Sequence, residues 1–330
     1  MKTGLLLLNL GTPDSPNFLS VWRYLRVFLA DKRVVTLNVF WRYLLLYGVI
    51  LPTRVAQTTR AYKAIWTPRG SPLRYHGEDL CKLLQHHLGE AYQVVLAMRY
   101  GQPSLDRALE QVQDCDRLYI LPLYPQYSSA ATGSILEFVL QRLARQTFIP
   151  ELTVIREFYQ HPAFIQAWAQ RIAPYLPGQE MLVFSYHGLP QHQVEQAGCQ
   201  PVCVNECTLS PQFLRQHNCY RAQCYQTSAL LAQALQLTPQ HYTIVFQSRL
   251  GRIPWIQPYM EEHLHGLAKQ GIKRIAVVCP SFVADCLETL EEVDIRMRSL
   301  WQNLGGESMV VIPCLNADET WGKAILSLLG

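Results

Sequence analysis

The stretch Leu182–Pro190 reads LVFSYHGLP. Leu182 to Tyr186 are apolar, aromatic or hydroxylic; then come His187, Gly188 and Pro190. A short, continuously apolar run closed by Gly and Pro is the pattern of a strand buried on both faces of a parallel sheet. The same design stands at Gly4–Leu10, where GLLLLNL runs into the turn NLGTP (Asn9–Pro13). Working outward, further strands are expected at Gln93–Met98, Arg117–Leu123, Leu152–Ile155, Met181–Tyr186, Tyr242–Gln247 and Arg274–Cys279. Amphipathic segments between them predict helices at Phe18–Ala30, Arg54–Ile65, Gly77–Leu88, Leu105–Val112, Ser134–Arg145, Pro162–Tyr175, Tyr220–Gln236, Pro258–Lys269 and Leu287–Asn303. Strand–helix alternation of this kind predicts an α/β fold.

The chain repeats itself once. NLGTP is matched by YHGLP (Tyr186–Pro190), and RYGQP (Arg99–Pro103) by RLGRIP (Arg249–Pro254). LPLYPQYSSAATGS (Leu121–Ser134) is matched by VVCPSFVADCLETL (Val277–Leu290). Three turns in the same order predict two related α/β halves, residues 1–150 and 151–330, with the segment after Asn316 crossing back. In open parallel sheets ligands bind beyond the carboxyl ends of the strands. All six turns sit at such ends, so they are expected to converge on one cleft, with His187 in it.

Composition narrows the function. The 330 residues are 49% hydrophobic and 16% charged, which suits two cores and excludes a disordered chain. A net charge of +4 without basic runs argues against nucleic acid. Glycine-rich phosphate loops and a GxSxG elbow are absent from the sequence. The N-terminus does not read as a signal peptide, and no window reaches the apolar length of a membrane span. A cytoplasmic location is therefore the expectation, and the ten cysteines are expected to be thiols or metal ligands.

Three groups of residues could carry chemistry. The first is His187. The second is the carboxylate run of DCLETLEE: helical from Asp285, it would place Asp285, Glu288 and Glu292 on one face with Glu291 beside it. Stacked carboxylates call for a cation or a proton between them, and with an imidazole they suit a divalent first-row metal such as Fe2+, as substrate in transit. A solvated helix face is the plainer alternative. The third is apolar: Phe40, Trp41, Tyr43, Leu44 and Tyr47 crowd Leu37–Leu51, with Phe40, Leu44, Tyr47 and Leu51 on one helical face. That segment reads either as a core helix or as a lip over a large flat ligand that also touches a membrane surface.

Taken together, LLLLNLGTPDSP, GSPL (Gly70–Leu73), MRYGQPS, LPLYPQYSSAATGS, SYHGLP, YRAQC, FQSRLG with PW, and DCLETLEE resemble the ferrochelatases along nearly the whole chain. The resemblance implies two Rossmann-like halves of the type II chelatase kind, facing each other across a porphyrin cleft. It implies insertion of Fe2+ into protoporphyrin IX to give protohaem, with no cofactor required for that step. It places the catalytic and metal-handling roles on His187 and Glu288, with Asp285, Glu291 and Glu292 as accessory carboxylates. It makes Tyr124, Tyr127, Ser128, Thr132 and Trp255 porphyrin contacts, and Leu37–Leu51 a lip in peripheral contact with the inner face of the membrane.

Two departures stand out. Cys286 occupies a position where many animal relatives have histidine, which removes a second imidazole. Between SYHGLP and YRAQC lies an extra segment with Cys199, Cys203, Cys207 and Cys219, separated by three, three and eleven residues. Such spacing suits zinc less than a [2Fe–2S] cluster, which some ferrochelatases carry; free thiols are the third option, and His192 or His217 could replace a cysteine. The rival readings are a coproporphyrin III ferrochelatase, a cobalt chelatase of tetrapyrrole precursors, a non-catalytic porphyrin or haem carrier, and a metal-storage or redox module resting on the cysteines.

Overall fold

The computed structural model describes residues 2–199, 218–249, 251 and 253–330. Among the described residues, eight strands form two four-stranded sheets, all neighbours parallel. The first contains β1 (Thr3–Thr12), β2 (Tyr92–Gly101), β3 (Arg117–Pro122) and β4 (Glu151–Val154) in the order β2-β1-β3-β4. The second contains β5 (Met181–His187), β6 (Tyr242–Gln247), β7 (Arg274–Val278) and β8 (Ser308–Val311) in the order β6-β5-β7-β8. The orders are the same with each strand advanced by four, as two related halves require. The sequence reading missed β8, whose four residues are too few to show a period.

Consecutive strand residues alternate between two cores, which is why these runs are apolar throughout. Leu5 and Leu7 face one core while Leu6 and Leu8 face another, and all four are at most 1% exposed. In the second sheet Leu182, Phe184 and Tyr186 alternate with Val183 in the same way. The inner core is common to both halves: Leu5, Leu7 and Leu121 share it with Phe184, Tyr186 and Phe246. At roughly 1.5–3 kcal/mol per fully buried large side chain, this shared core is the main force holding the halves together. The C-terminal helix Glu319–Leu329 crosses back to the first half. Its Gly322 packs closely on Leu83, whose Cδ2 would stand 2.8 Å from a methyl group there. Glu319 also pairs with His87 Nε2 at 2.9 Å.

The structure corrects one of the turn pairings. The partner of Pro103 is Pro258, not Pro254. Met98 N–H donates to Pro103 O and Phe246 N–H to Pro258 O, each at 2.8 Å, and both prolines follow a cis Gln–Pro bond. The second-half excursion is longer, and it carries Trp255. The glycine turns are equivalent in a physical sense. A methyl group on Gly11 would lie 1.7 Å from Tyr100 O of β2, and one on Gly188 would lie 2.9 Å from Gln247 O of β6. Each turn presses on the end of the neighbouring strand.

Candidate active site

His187 is the last residue of β5 and is partly exposed. Its Nδ1 lies 2.6 Å from Gly188 O. A carbonyl only accepts, so Nδ1 donates, and Nε2 keeps its lone pair as a proton acceptor or metal ligand. The backbone at His187 is tied down on both sides: its N–H donates to Ser281 Oγ at 3.3 Å and its carbonyl accepts from Tyr220 Oη at 2.9 Å. The ring lies between Trp255 and Phe282, with centroid distances of 6.4 and 6.2 Å. Trp255 is held there because its loop pairs with the histidine's turn. Ile256 N–H donates to Leu189 O at 2.9 Å and Gln191 N–H to Pro254 O at 3.0 Å.

The carboxylates do not form the expected stack. The helix starts at Leu287, so Asp285 lies before it. Asp285 is 7% exposed and accepts from Asn316 Nδ2 at 2.7 Å, Thr289 Oγ1 at 3.2 Å and Cys314 N–H at 3.2 Å. It anchors the loop and does not face the cleft. From Glu288 to Met297 the helix is a π-helix, wound i→i+5, which separates the remaining acids. Glu291 pairs with Arg296 at 2.9 Å, and the same guanidinium lies 4.0 Å from Glu292. Glu292 turns toward the end of β6, where Ser248 holds it through N–H at 2.7 Å and Oγ at 2.6 Å. Burial raises the Glu292 carboxyl; the Ser248 bonds and the nearby His187 oppose that shift. Glu288 faces the first half. Tyr24 and Tyr62 feel its charge, and burial and then that charge push the Tyr62 phenol far up. Tyr62 is hydrogen-bonded with Thr12 of the NLGTP turn. Glu288 and the first-half turn therefore meet across the cleft, as the repeat implied. No periodicity in the sequence marked Tyr24, Tyr62, Tyr220 or Ser248.

Of the five expected porphyrin contacts, Trp255 stands beside His187; Ser128 (7%) and Thr132 (0%) are buried, and Ser128 Oγ caps the turn by accepting from Ala131 N–H at 3.1 Å. Tyr127 is partly exposed and its N–H donates to Gln223 Oε1 at 2.7 Å, across to the second half. Tyr124 packs beside the first sheet's outer core, and its hydroxyl is buried without a partner. Thr132 falls in a second π-helical segment, Ser129–Gly133, and a third, Leu46–Ile50, interrupts the helix running from Val39 to Ile65. Among the described residues, these three are the π segments, and each belongs to a candidate site element.

The core-helix reading of Leu37–Leu51 fails for most of the segment, and so does the expectation that no stretch reaches the length of a membrane span, since the helix Val39–Ile65 is long and apolar enough by length and composition. Phe40 is 65% exposed, Trp41 59%, Leu44 53% and Tyr47 46%, while Leu51 alone of the expected face is buried. Of the four extra cysteines, Cys203 and Cys207 lie outside the described residues. Cys199 and Cys219 are buried in the inner core together with Cys224. Cys219 lies close enough to add to the effect of burial in raising the Cys224 thiol. His217 also lies outside the described residues, and His192 Nε2 is engaged with Thr36 Oγ1 at 2.9 Å.

The ferrochelatase family model matches residues 2–329. The ferrochelatase of Legionella pneumophila (strain Lens) is 51% identical over 329 residues, covering 100% of this chain and 99% of the relative. That of Coxiella burnetii (strain Dugway 5J108-111) is 45% identical over 332 residues, covering 99% and 93%. Among solved structures, SirB from Bacillus subtilis with Fe3+ superposes with a TM-score of 0.56 at 11% identity, over 100% of this chain and 94% of SirB. DR2241 from Deinococcus radiodurans gives 0.51 at 11% identity, over 99% of this chain and 54% of that one. At such identity the structural likeness speaks for a shared chelatase fold.

Proposed function

The chain belongs to the ferrochelatase family, and on that premise we propose that it inserts Fe2+ into protoporphyrin IX to give protohaem, in the cleft between His187 and Glu288. The reaction removes two pyrrole protons and forms four iron–nitrogen bonds, so a base must lie over the ring. The His187 tautomer supports this role: with Nδ1 donating to Gly188 O, Nε2 is the free acceptor. Glu288, on the opposite side against Tyr24 and Tyr62, supplies the negative charge that accepts a proton or passes the metal. Trp255 and Phe282 make the apolar surroundings in which a flat macrocycle can bind and be bent, exposing its nitrogen lone pairs.

The observation that carries the substrate choice is the exposed apolar lip at Phe40, Trp41, Leu44 and Tyr47. Such a lip suits vinyl groups and a ligand delivered from a membrane better than four propionates, and it supports peripheral contact with a bilayer. Asp14, directly after GTP, points the same way, since coproporphyrin-type relatives have tyrosine there. Metallation rates with protoporphyrin IX and coproporphyrin III, measured side by side, test this choice; a faster rate with coproporphyrin III reverses it.

A [2Fe–2S] cluster on Cys199, Cys203, Cys207 and Cys219 is part of the same proposal. Burial of Cys199 and Cys219 in one core supports it, because thiolates in such a site gain from a metal partner. The cluster would supply a structural cross-link and carry no step of insertion. Anaerobically purified protein should be reddish-brown and contain sulfide; colourless, active protein without sulfide rules the cluster out.

A further inference from the structure

The root of the lip is clamped by a single carboxylate that the chemistry above does not use. Asp31 lies between the helix Phe18–Leu29 and the lip helix Val39–Ile65. Its side chain is 6% exposed. Its Oδ2 accepts from Ser134 Oγ at 2.6 Å, Arg99 Nη2 at 2.7 Å and Tyr100 Oη at 2.8 Å. Its Oδ1 accepts from Arg33 N–H at 2.8 Å. One carboxylate thus joins the lip root to the end of β2 and to the wall segment that closes LPLYPQYSSAATGS. The next two residues add a second clasp on the same wall. Lys32 Nζ and Arg33 Nε pair with Glu137 at 2.7 and 2.6 Å, and Arg33 Nη1 donates to Ser129 Oγ at 2.9 Å. Beyond this root Leu37, Val39, Phe40 and Trp41 are exposed, and Thr36 Oγ1 meets His192 Nε2 at 2.9 Å.

The placement decides what the clamp can do. Charge-assisted hydrogen bonds are the strong ones, and Asp31 concentrates them where the exposed lip leaves the body of the protein. Neither Asp31 nor Glu137 touches His187 or Glu288. We infer that Asp31 is a positioning residue for the porphyrin: it fixes the lip against the cleft wall, and its loss weakens porphyrin capture while sparing metal chemistry. This rests on the reading of the cleft as the porphyrin site.

Asp31→Asn tests it, because the neutral amide removes the charge and, in either orientation, sets an NH2 donor against a donor that Asp31 now satisfies, Arg33 N–H or the three at Oδ2. Steady-state insertion of Fe2+ or Zn2+ into protoporphyrin IX should show the porphyrin KM raised on the order of tenfold, with kcat and the metal KM within about twofold. Glu137→Gln disturbs only the second, more exposed clasp, so it should fold normally and raise the porphyrin KM by roughly twofold to threefold. A merely structural role would lower the melting temperature and leave the porphyrin KM unchanged in both variants, which overturns the inference. So does a fall in kcat at unchanged porphyrin KM. If Asp31→Asn does not fold, Glu137→Gln and Ser134→Ala decide, and an unchanged porphyrin KM in both overturns it. Failure of the wild-type chain to bind or metallate protoporphyrin IX would sink the functional reading itself, a result distinct from the one above.

Discussion

Ser248 holds Glu292 by both carboxylate oxygens, its N–H at 2.7 Å and its hydroxyl at 2.6 Å. Ser248 does this from a left-handed backbone conformation, φ 68°, which is costly for a residue with a side chain. Glu292 is thus a restrained group on the second-half side of the cleft, whereas Glu288 faces the first half. The two acids should respond differently to loss of charge. Glu288→Gln should lower kcat by roughly 100-fold or more, the scale of a lost acid–base group. Glu292→Gln should act mainly on the metal KM, and Ser248→Ala should reproduce part of that effect. Steady-state kinetics with varied metal checks this. Equal, near-normal kinetics in both glutamate variants would reduce the run to a structural helix face.

His187 should be needed for turnover and not for folding. Among the described residues, its ring makes a hydrogen bond only to the adjacent Gly188 carbonyl, and the ties to Ser281 and Tyr220 run through its backbone. His187→Ala should keep both backbone ties. Its melting temperature should stay within a few degrees of wild type, porphyrin should still quench tryptophan fluorescence, and insertion should fall by roughly 100-fold or more. Wild-type-like insertion by this variant would remove His187 from the mechanism.

The two glycine turns should differ in tolerance. Gly11 has φ +112°, and a methyl group there would sit 1.7 Å from Tyr100 O, a backbone atom that cannot swing away. Gly11→Ala should cost roughly 3 kcal/mol or more, seen as a collapse in melting temperature or in soluble yield. Gly188→Ala brings a methyl group to 2.9 Å from Gln247 O, a smaller shift, and should fold. Its defect should appear in activity, because the displaced turn carries His187.

What the sequence made legible follows from periodicity. Leu5–Leu8 and Leu182–Tyr186 announce strands buried on both sides, because two cores receive alternate residues. The repeated turns announced the shared cleft, since both glycines exist to let a turn approach the next strand. The misreadings have separate causes. An α-helical period was applied to Asp285–Glu292, where the chain is non-helical at Asp285 and π-helical from Glu288, so the acids do not line one face. Ser248, Tyr62 and Asp31 act through partners far away in the sequence, such as Asp31 with Ser134, and no local pattern records a contact of that kind. Pro254 was matched to Pro103 because it is the nearer proline, whereas the hydrogen bond to the preceding strand selects Pro258.

His263 gives a pH dependence separate from the active site. It sits on the helix Met260–Lys269, and its Nε2 lies 2.9 Å from Thr243 Oγ1 of β6. Burial lowers its pKa below the usual imidazole value. The folded protein therefore prefers the neutral ring, and the unfolded chain binds a proton more readily. Stability from this group is fully present above the unfolded value of about 6.5 and is lost as pH falls from there toward the lower folded value. His263→Gln keeps a donor and an acceptor for Thr243 and cannot titrate. Urea melts at pH 7.5 and 5.5 should show a smaller stability loss on acidification for the variant than for wild type. Equal losses in the two proteins would mean that His263 is already charged in the fold or that its ring reaches solvent.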